Sequence, residues 1–225
     1  MFLAEVERLT SAGDPTASLE TTVAAWQTIP ASVVQDHGER CCRIARGWFF
    51  AMDHAHLSAG DVLLGPRWIR ARYKWGPTRW PLYWCEAMNL KTLDCGALAA
   101  LAVAAYQSRG VRCYTTQLVQ RYSKHDARNW LRNWKEGEAS INWIKDDLVY
   151  HEACAMVSAQ NEIRIWDPTA SWWVNPKQFA GYGAVLALRV LTSNTPHASY
   201  LKWGTERIFV NNWQHVQPAR ADFAK

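Results

Sequence analysis

The chain has 225 residues, of which 49% are hydrophobic and 20% charged. That is the make-up of an ordinary globular protein, long enough to bury roughly 70% of the surface its unfolded chain exposes. A formal net charge of +5 is too slight to demand a nucleic acid or an anionic surface as partner.

The start, MFLAEVERLTSAGD, carries Glu5 and Glu7 and lacks a basic stretch followed by an apolar run, so no secretory signal is read there. No run of about 18 uncharged apolar residues is present, so no membrane-spanning helix is expected. The six cysteines show no CxxC spacing, and the expectation is a cytoplasmic protein with reduced thiols. Apolar stripes predict helices over Leu3–Leu9 and Ser18–Trp26, and a longer one over Ser32–Met52. Just beyond the last, His54 and His56 stand two apart and point away from each other, so with Asp53 and Asp61 they make no metal site. No metal ligand set and no cofactor are read from the sequence. GxxxxGK[ST], GxGxxG and calcium-loop patterns are absent.

Residues 65–90 hold three prolines and many aromatic and basic side chains, which predicts a loop-rich segment. Its tryptophans Trp75, Trp80 and Trp84 are candidates to line a substrate groove beside whatever follows. Most of the 14 tryptophans are expected in the core. Arg67, Arg70, Arg72 and Lys74, then Arg121, Lys124, Arg128, Arg132 and Lys135, form loose basic clusters interleaved with aromatics. A nucleic-acid face can look like this, but a solvated face is favoured and a nucleic-acid partner is not.

From Cys95 the pattern is regular. Cys95–Arg109 is an Ala/Leu-rich helix stopped by Gly110, and 111–122 alternates as a strand. Segment 123–145 is read as an exposed helix or long loop. Strands follow over Asp147–Ser158, Glu162–Trp166, Val185–Thr192 and Glu206–Trp213, with Ser158–Asn161 as a hairpin turn. Helices followed by a run of strands predict an α+β fold with an antiparallel sheet.

Three local signals carry chemistry. Cys95 opens a helix, where unsatisfied N–H groups and the dipole favour a thiolate, and Gly96 beside it lets a substrate backbone come close. His151 sits within a strand and Asp167 ends the next one. A histidine can take a thiol proton and later deliver it to a leaving group, and a carboxylate fixes its tautomer. Glu152 is expected on the opposite sheet face from His151 and is not assigned a catalytic role. Cys85, in the loop upstream, is the second-choice thiol.

The motifs Asp94-Cys95-Gly96-Ala97-Leu98-Ala99 at a helix head, Arg109-Gly110-Val111-Arg112 leading into a strand, HEACAMV from His151 and IRIWDPT ending in Asp167-Pro168-Thr169 resemble the transglutaminase-like superfamily over about 85–190. The resemblance implies a papain-like core: a nucleophile helix packed on an antiparallel sheet, here with N-terminal helices added. It implies Cys95 as nucleophile, His151 as base and Asp167 as orienting acid. The activity implied is acyl transfer on an amide or thioester through an acyl-cysteine thioester intermediate. Water as acceptor gives a peptidase or amidase; an amine gives an amide-forming acyltransferase. The substrate is then a peptide, an amide or a carrier-bound acyl group. The calcium dependence of some animal transglutaminases does not carry over. Besides the backbone N–H of Cys95, Trp80, Trp84 and Asn89 are open as oxyanion donors. The competing reading is an idle module of the same fold that binds a peptide or protein. The organisation expected is one transglutaminase-like domain over 1–225: a helical extension (1–64), the aromatic loop (65–90), the catalytic core (91–195) and a C-terminal strand and tail (196–225).

Overall fold

The structure, a computed structural model, describes residues 29, 31–57, 60–121, 125, 144–145, 148–159, 162–174, 184–191, 200–203, 206–209 and 214–215. The helices expected over Leu3–Leu9 and Ser18–Trp26, most of 123–145 and the tail beyond His215 lie outside the described residues. The helix expected over Ser32–Met52 begins later, as α1 (Arg40–His56). Residues 31–37 are instead drawn out against a distant segment. The Gln35 N–H donates to the Leu82 carbonyl at 2.8 Å, and the Trp84 N–H to the Gln35 carbonyl at 3.1 Å. Gly38 then turns the chain at φ 82°, its N–H on Asp36 Oδ1 at 2.8 Å, a left-handed step that a Cβ disfavours. Beyond it Cys42, Ala45, Phe49 and Asp53 recur at three-and-four spacing and form the buried face.

Segment 65–90 holds more regular structure than a loop. Helices α2 (Arg67–Arg72) and α3 (Trp84–Asn89) flank strand β1 (Lys74–Trp75). Pro66 immediately precedes α2, where a missing N–H leaves no helical bond unmade. At the head of α3 the Tyr83 N–H donates to Glu86 Oε2 at 3.0 Å. β1 pairs in parallel with β2 (Thr92–Leu93), Trp75 opposite Leu93, and β2 leads into α4 (Cys95–Ser108).

Helix α4 follows the sequence expectation closely. Asp94 caps it, Oδ1 accepting the Ala97 N–H at 2.7 Å. Its residues from Gly96 to Ala102, with Ala105 and Tyr106, are buried, as an all-round apolar helix requires. At its end Gly110 takes φ 78°, the Val111 N–H reaches the Tyr106 carbonyl and the Gly110 N–H the Gln107 carbonyl, both at 3.0 Å. This is a Schellman close.

The large sheet has the order β10-β9-β6-β5-β3-β8-β11. Its strands are β3 (Cys113–Arg121), β4 (Ile144–Lys145), β5 (Leu148–Val157), β6 (Glu162–Asp167), β7 (Trp172–Val174), β8 (Ala184–Val190), β9 (Tyr200–Trp203), β10 (Glu206–Phe209) and β11 (Gln214–His215). β4 pairs with β5 and β7 with β6. Neighbours are antiparallel except β6 and β9. The single strand expected over Glu206–Trp213 is instead β10, paired with β9, followed by β11 on the far edge beside β8. β5 and β6 form the expected hairpin, Cys154 opposite Trp166 and Val157 opposite Ile163. The architecture is α+β with a mainly antiparallel sheet. β5 is buried on both faces: Cys154 and Met156 join the core shared with the helices, while Ala153, Ala155 and Val157 join a second core with Leu118, Ile165 and Leu188.

A buried ion pair locks the helices together. Arg109, just past α4, grips Asp53 of α1 with Nε at 2.7 Å and with Nη2, while Trp68 Nε1 of α2 donates to the same carboxylate at 2.8 Å. Among the described residues no helix is long and apolar enough to cross a membrane.

Candidate active site

The sheet brings His151 and Asp167 together. His151 lies on β5 and Asp167 ends β6. The imidazole Nε2 is 3.0 Å from Asp167 Oδ2. The other carboxylate oxygen accepts the Thr169 N–H at 2.9 Å, and the Asp167 carbonyl accepts the Ser171 N–H at 2.8 Å. Asp167 is fully buried, so its carboxylate is held by the ring on one side and the turn on the other. Burial alone would push the His151 ring toward neutrality, but the Asp167 charge and hydrogen bond, helped by Cys95, raise its pKa to about 10.

Cys95 stands half-buried at the first position of α4 and interacts with His151. The thiol is pulled two ways. Burial raises its pKa and prevails; the hydrogen bond and charge of His151 lower it; the nearby Asp94 and Glu152 add to the rise. The stabilising partner of a thiolate is His151.

Glu152 is the residue that sequence reasoning sets aside and the structure brings back. It is buried, receives the Tyr150 hydroxyl on Oε1 and lies 3.4 Å from Gln117 Nε2 through the same oxygen. Burial raises its pKa, while Ser32, Tyr150 and Gln117 oppose the rise. Gly96 explains how closely this group approaches. A Cβ at Gly96 would stand 2.3 Å from Ser32 Oγ and 2.8 Å from Glu152 Oε2. The space freed by this glycine is therefore filled by the protein's own polar side chains rather than by a substrate backbone. The signal that could have found Glu152 is its place in an otherwise apolar strand run beside His151.

The tryptophans separate into two groups. Trp80 is 38% exposed and its Nε1 donates to Asp94 Oδ2 at 2.9 Å, so it sits at the cap of α4. Thr78 Oγ1 accepts the Asp94 N–H at 2.6 Å from the same loop. Trp75 is half-buried on β1, opposite Leu93. Trp84 is different: it is buried, with ring centroids 5.3 Å from Phe49 and 5.8 Å from Phe50. That position makes Trp84 a core residue, which removes it as a groove wall and as an oxyanion donor. The Asn89 amide donates to the Cys85 carbonyl at 2.9 Å within α3.

Other candidates take structural roles. Asp53 is the centre of the buried ion pair, and His56 Nε2 lies 3.2 Å from the Gly65 carbonyl. In the first basic cluster Arg70 donates to the carbonyls of Thr169 and Tyr73, and Arg72 to that of Met88. The side chains of the second cluster lie outside the described residues. Cys113 and Cys154 are buried, and Cys154 is raised well above an ordinary thiol by burial. Cys85 lies apart from the His151–Asp167 pair, beside His37. Comparison with protein-family models, with curated proteins and with solved structures finds no match for this chain.

Proposed function

We propose that the chain is a transglutaminase-like cysteine enzyme that transfers an acyl group from an amide or thioester. The observation that carries this reading is the His151 Nε2–Asp167 Oδ2 contact of 3.0 Å, with Cys95 coupled to the same ring from the head of a capped helix. One proton must leave the Cys95–His151 pair to give thiolate and imidazolium. The Cys95 sulfur then adds to the acyl carbonyl carbon, and the oxyanion meets the Cys95 backbone N–H. His151 gives its ring proton to the departing amine or thiol as the carbonyl re-forms, leaving the acyl on sulfur. Water or an amine attacks that thioester, His151 takes its proton, and the thiolate leaves. Asp167 holds Nε2 throughout, which directs the other ring nitrogen to the chemistry. Trp80, exposed at the cap of α4, is the wall an incoming acyl group meets first.

The idle binding module is the second reading, favoured by the burial that raises the Cys95 thiol and by Ser32 and Glu152 filling the space at Gly96. Iodoacetamide labelling of Cys95 across a pH series, followed by peptide mapping, tests the enzyme reading. Labelling is expected to rise with pH, and His151→Ala should move the rise to higher pH, because His151 is what lowers the thiol. Trapping of an acyl adduct on Cys95 from a panel of amides and thioesters completes the test. Identical labelling profiles with no adduct would move the binding module to the front.

A further inference from the structure

A second cluster of reactive side chains lies outside this site. His37 comes from the turn before α1, Cys41 and Cys42 from the first turn of α1, and Cys85 from the first turn of α3. His37 Nε2 is 3.3 Å from Cys85 Sγ, 3.4 Å from Cys42 Sγ and 3.7 Å from Cys41 Sγ; Cys42 Sγ is 3.8 Å from Cys85 Sγ. All four donor atoms lie within 4.8 Å of one another. We propose that His37, Cys41, Cys42 and Cys85 form a closed, four-coordinate zinc site that staples α1 to α3.

The distances carry the assignment. Zinc binds thiolate sulfur at about 2.3 Å and imidazole nitrogen at about 2.0–2.1 Å, in a tetrahedron. Those lengths set sulfur–sulfur edges of about 3.8 Å and nitrogen–sulfur edges of about 3.5 Å. The four measured edges fall around these values, and three thiolates with one imidazole form a soft donor set suited to zinc. A disulfide is a poorer account, since its sulfurs would stand about 2.0 Å apart and all the cysteines here are free. On loading, the three thiols release three protons to solvent and Zn²⁺ takes their place. One present contact must yield. The Glu39 N–H lies 3.3 Å from His37 Nδ1, and ligation through Nε2 puts the ring proton on Nδ1. At that length the bond is weak.

The local backbone is arranged to hold the donors. The Gln35–Leu82 and Trp84–Gln35 hydrogen bonds already lay the two segments side by side, and the His37 ring rests against Tyr83 at 5.0 Å. Four protein donors leave no open position, which makes the site structural rather than catalytic. It braces the loop that runs through α3 and β2 to Cys95, but it does not depend on what Cys95 does.

Metal analysis by mass spectrometry of the full-length chain, expressed with zinc in the medium, tests the proposal. The expected ratio is one zinc per chain, retained in Cys95→Ser and lost in Cys85→Ser. To separate loss of zinc from loss of fold in Cys85→Ser, the wild-type chain stripped of metal is also titrated with Co²⁺. A thiolate-to-cobalt charge-transfer band and intense tetrahedral visible bands, both removed by zinc, are the supporting result. Metal-free protein with Cys41, Cys42 and Cys85 fully titratable by a thiol reagent, a disulfide among them in the intact mass, or a weak octahedral cobalt spectrum would each overturn it.

Discussion

Replacing Asp167 by asparagine keeps the shape of the side chain and removes its charge, which isolates what the carboxylate does for His151. The ring's pKa goes from an ordinary 6.5 to about 10 in the folded protein. At about 1.4 kcal/mol per pKa unit, that rise corresponds to on the order of 5 kcal/mol of preference for the imidazolium. Both side chains are buried, so solvent screening takes little away. The sign follows from linkage. A folded-state pKa above the unfolded value contributes stability in full below pH 6.5, and that contribution fades as pH rises through about 10. In Asp167→Asn the largest influences that raise the ring's pKa are gone while burial still opposes its charge, so its pKa falls. Wild type should exceed the variant by about 3–5 kcal/mol near pH 6. The gap should shrink above pH 10 to the roughly 1 kcal/mol of a neutral hydrogen bond. Denaturant unfolding of the two proteins across that range, with the His151 ring followed by NMR, measures both quantities. A gap that stayed constant from pH 6 to above 10 would refute the charge argument, and with it the role of Asp167 as the partner of an imidazolium.

Two glycines make a paired test of packing. Gly47 lies inside α1, and a methyl group there would meet nothing within 4 Å, so Gly47→Ala should stabilise by about 0.5–1 kcal/mol in thermal or urea unfolding. Gly96→Ala meets Ser32 and Glu152 and should cost about 1–3 kcal/mol; equal effects at the two sites would contradict the packing at the head of α4. Asp53→Ala strands the Arg109 guanidinium and the Trp68 N–H in the core and should destabilise by about 3–5 kcal/mol, seen as a large drop in the urea midpoint.

What the sequence discloses well is local. Gly110 after an Ala-rich run and Asp167 before a proline each announce a backbone event within a few residues, and both events occur at those residues. What it hides is non-local. The start of α1 falls later than its apolar spacing suggests because the chain around Gln35 is held extended by Leu82 and Trp84, far along the sequence, and only then released by Gly38. β5 offers no alternation to read because both its faces are covered. Trp84 lies just upstream of Cys95 in sequence, which suggests a groove wall, yet α3 turns it inward onto Phe49 and Phe50. The His37, Cys41, Cys42 and Cys85 cluster is invisible to spacing motifs, since its fourth member arrives from another helix.

The same distinction bears on how Cys95 would be activated in the proposed enzyme. A helix start is a local feature, and from it alone a lowered thiol pKa is the natural inference. The fold then places that thiol half-buried with Asp94 and Glu152 nearby, and burial raises its pKa further than His151 lowers it. In the proposed enzyme the charge partner of the sulfur therefore lies on the sheet, where a buried carboxylate keeps the His151 ring charged. A thiolate formed beside that ring would face an imidazolium already held by Asp167 on its other nitrogen, and at short range in a low-dielectric pocket that attraction offsets part of the cost of burying the sulfur's charge. On this account the helix positions the sulfur, and the β5–β6 hairpin, by bringing residues 151 and 167 to 3.0 Å, supplies its charge partner.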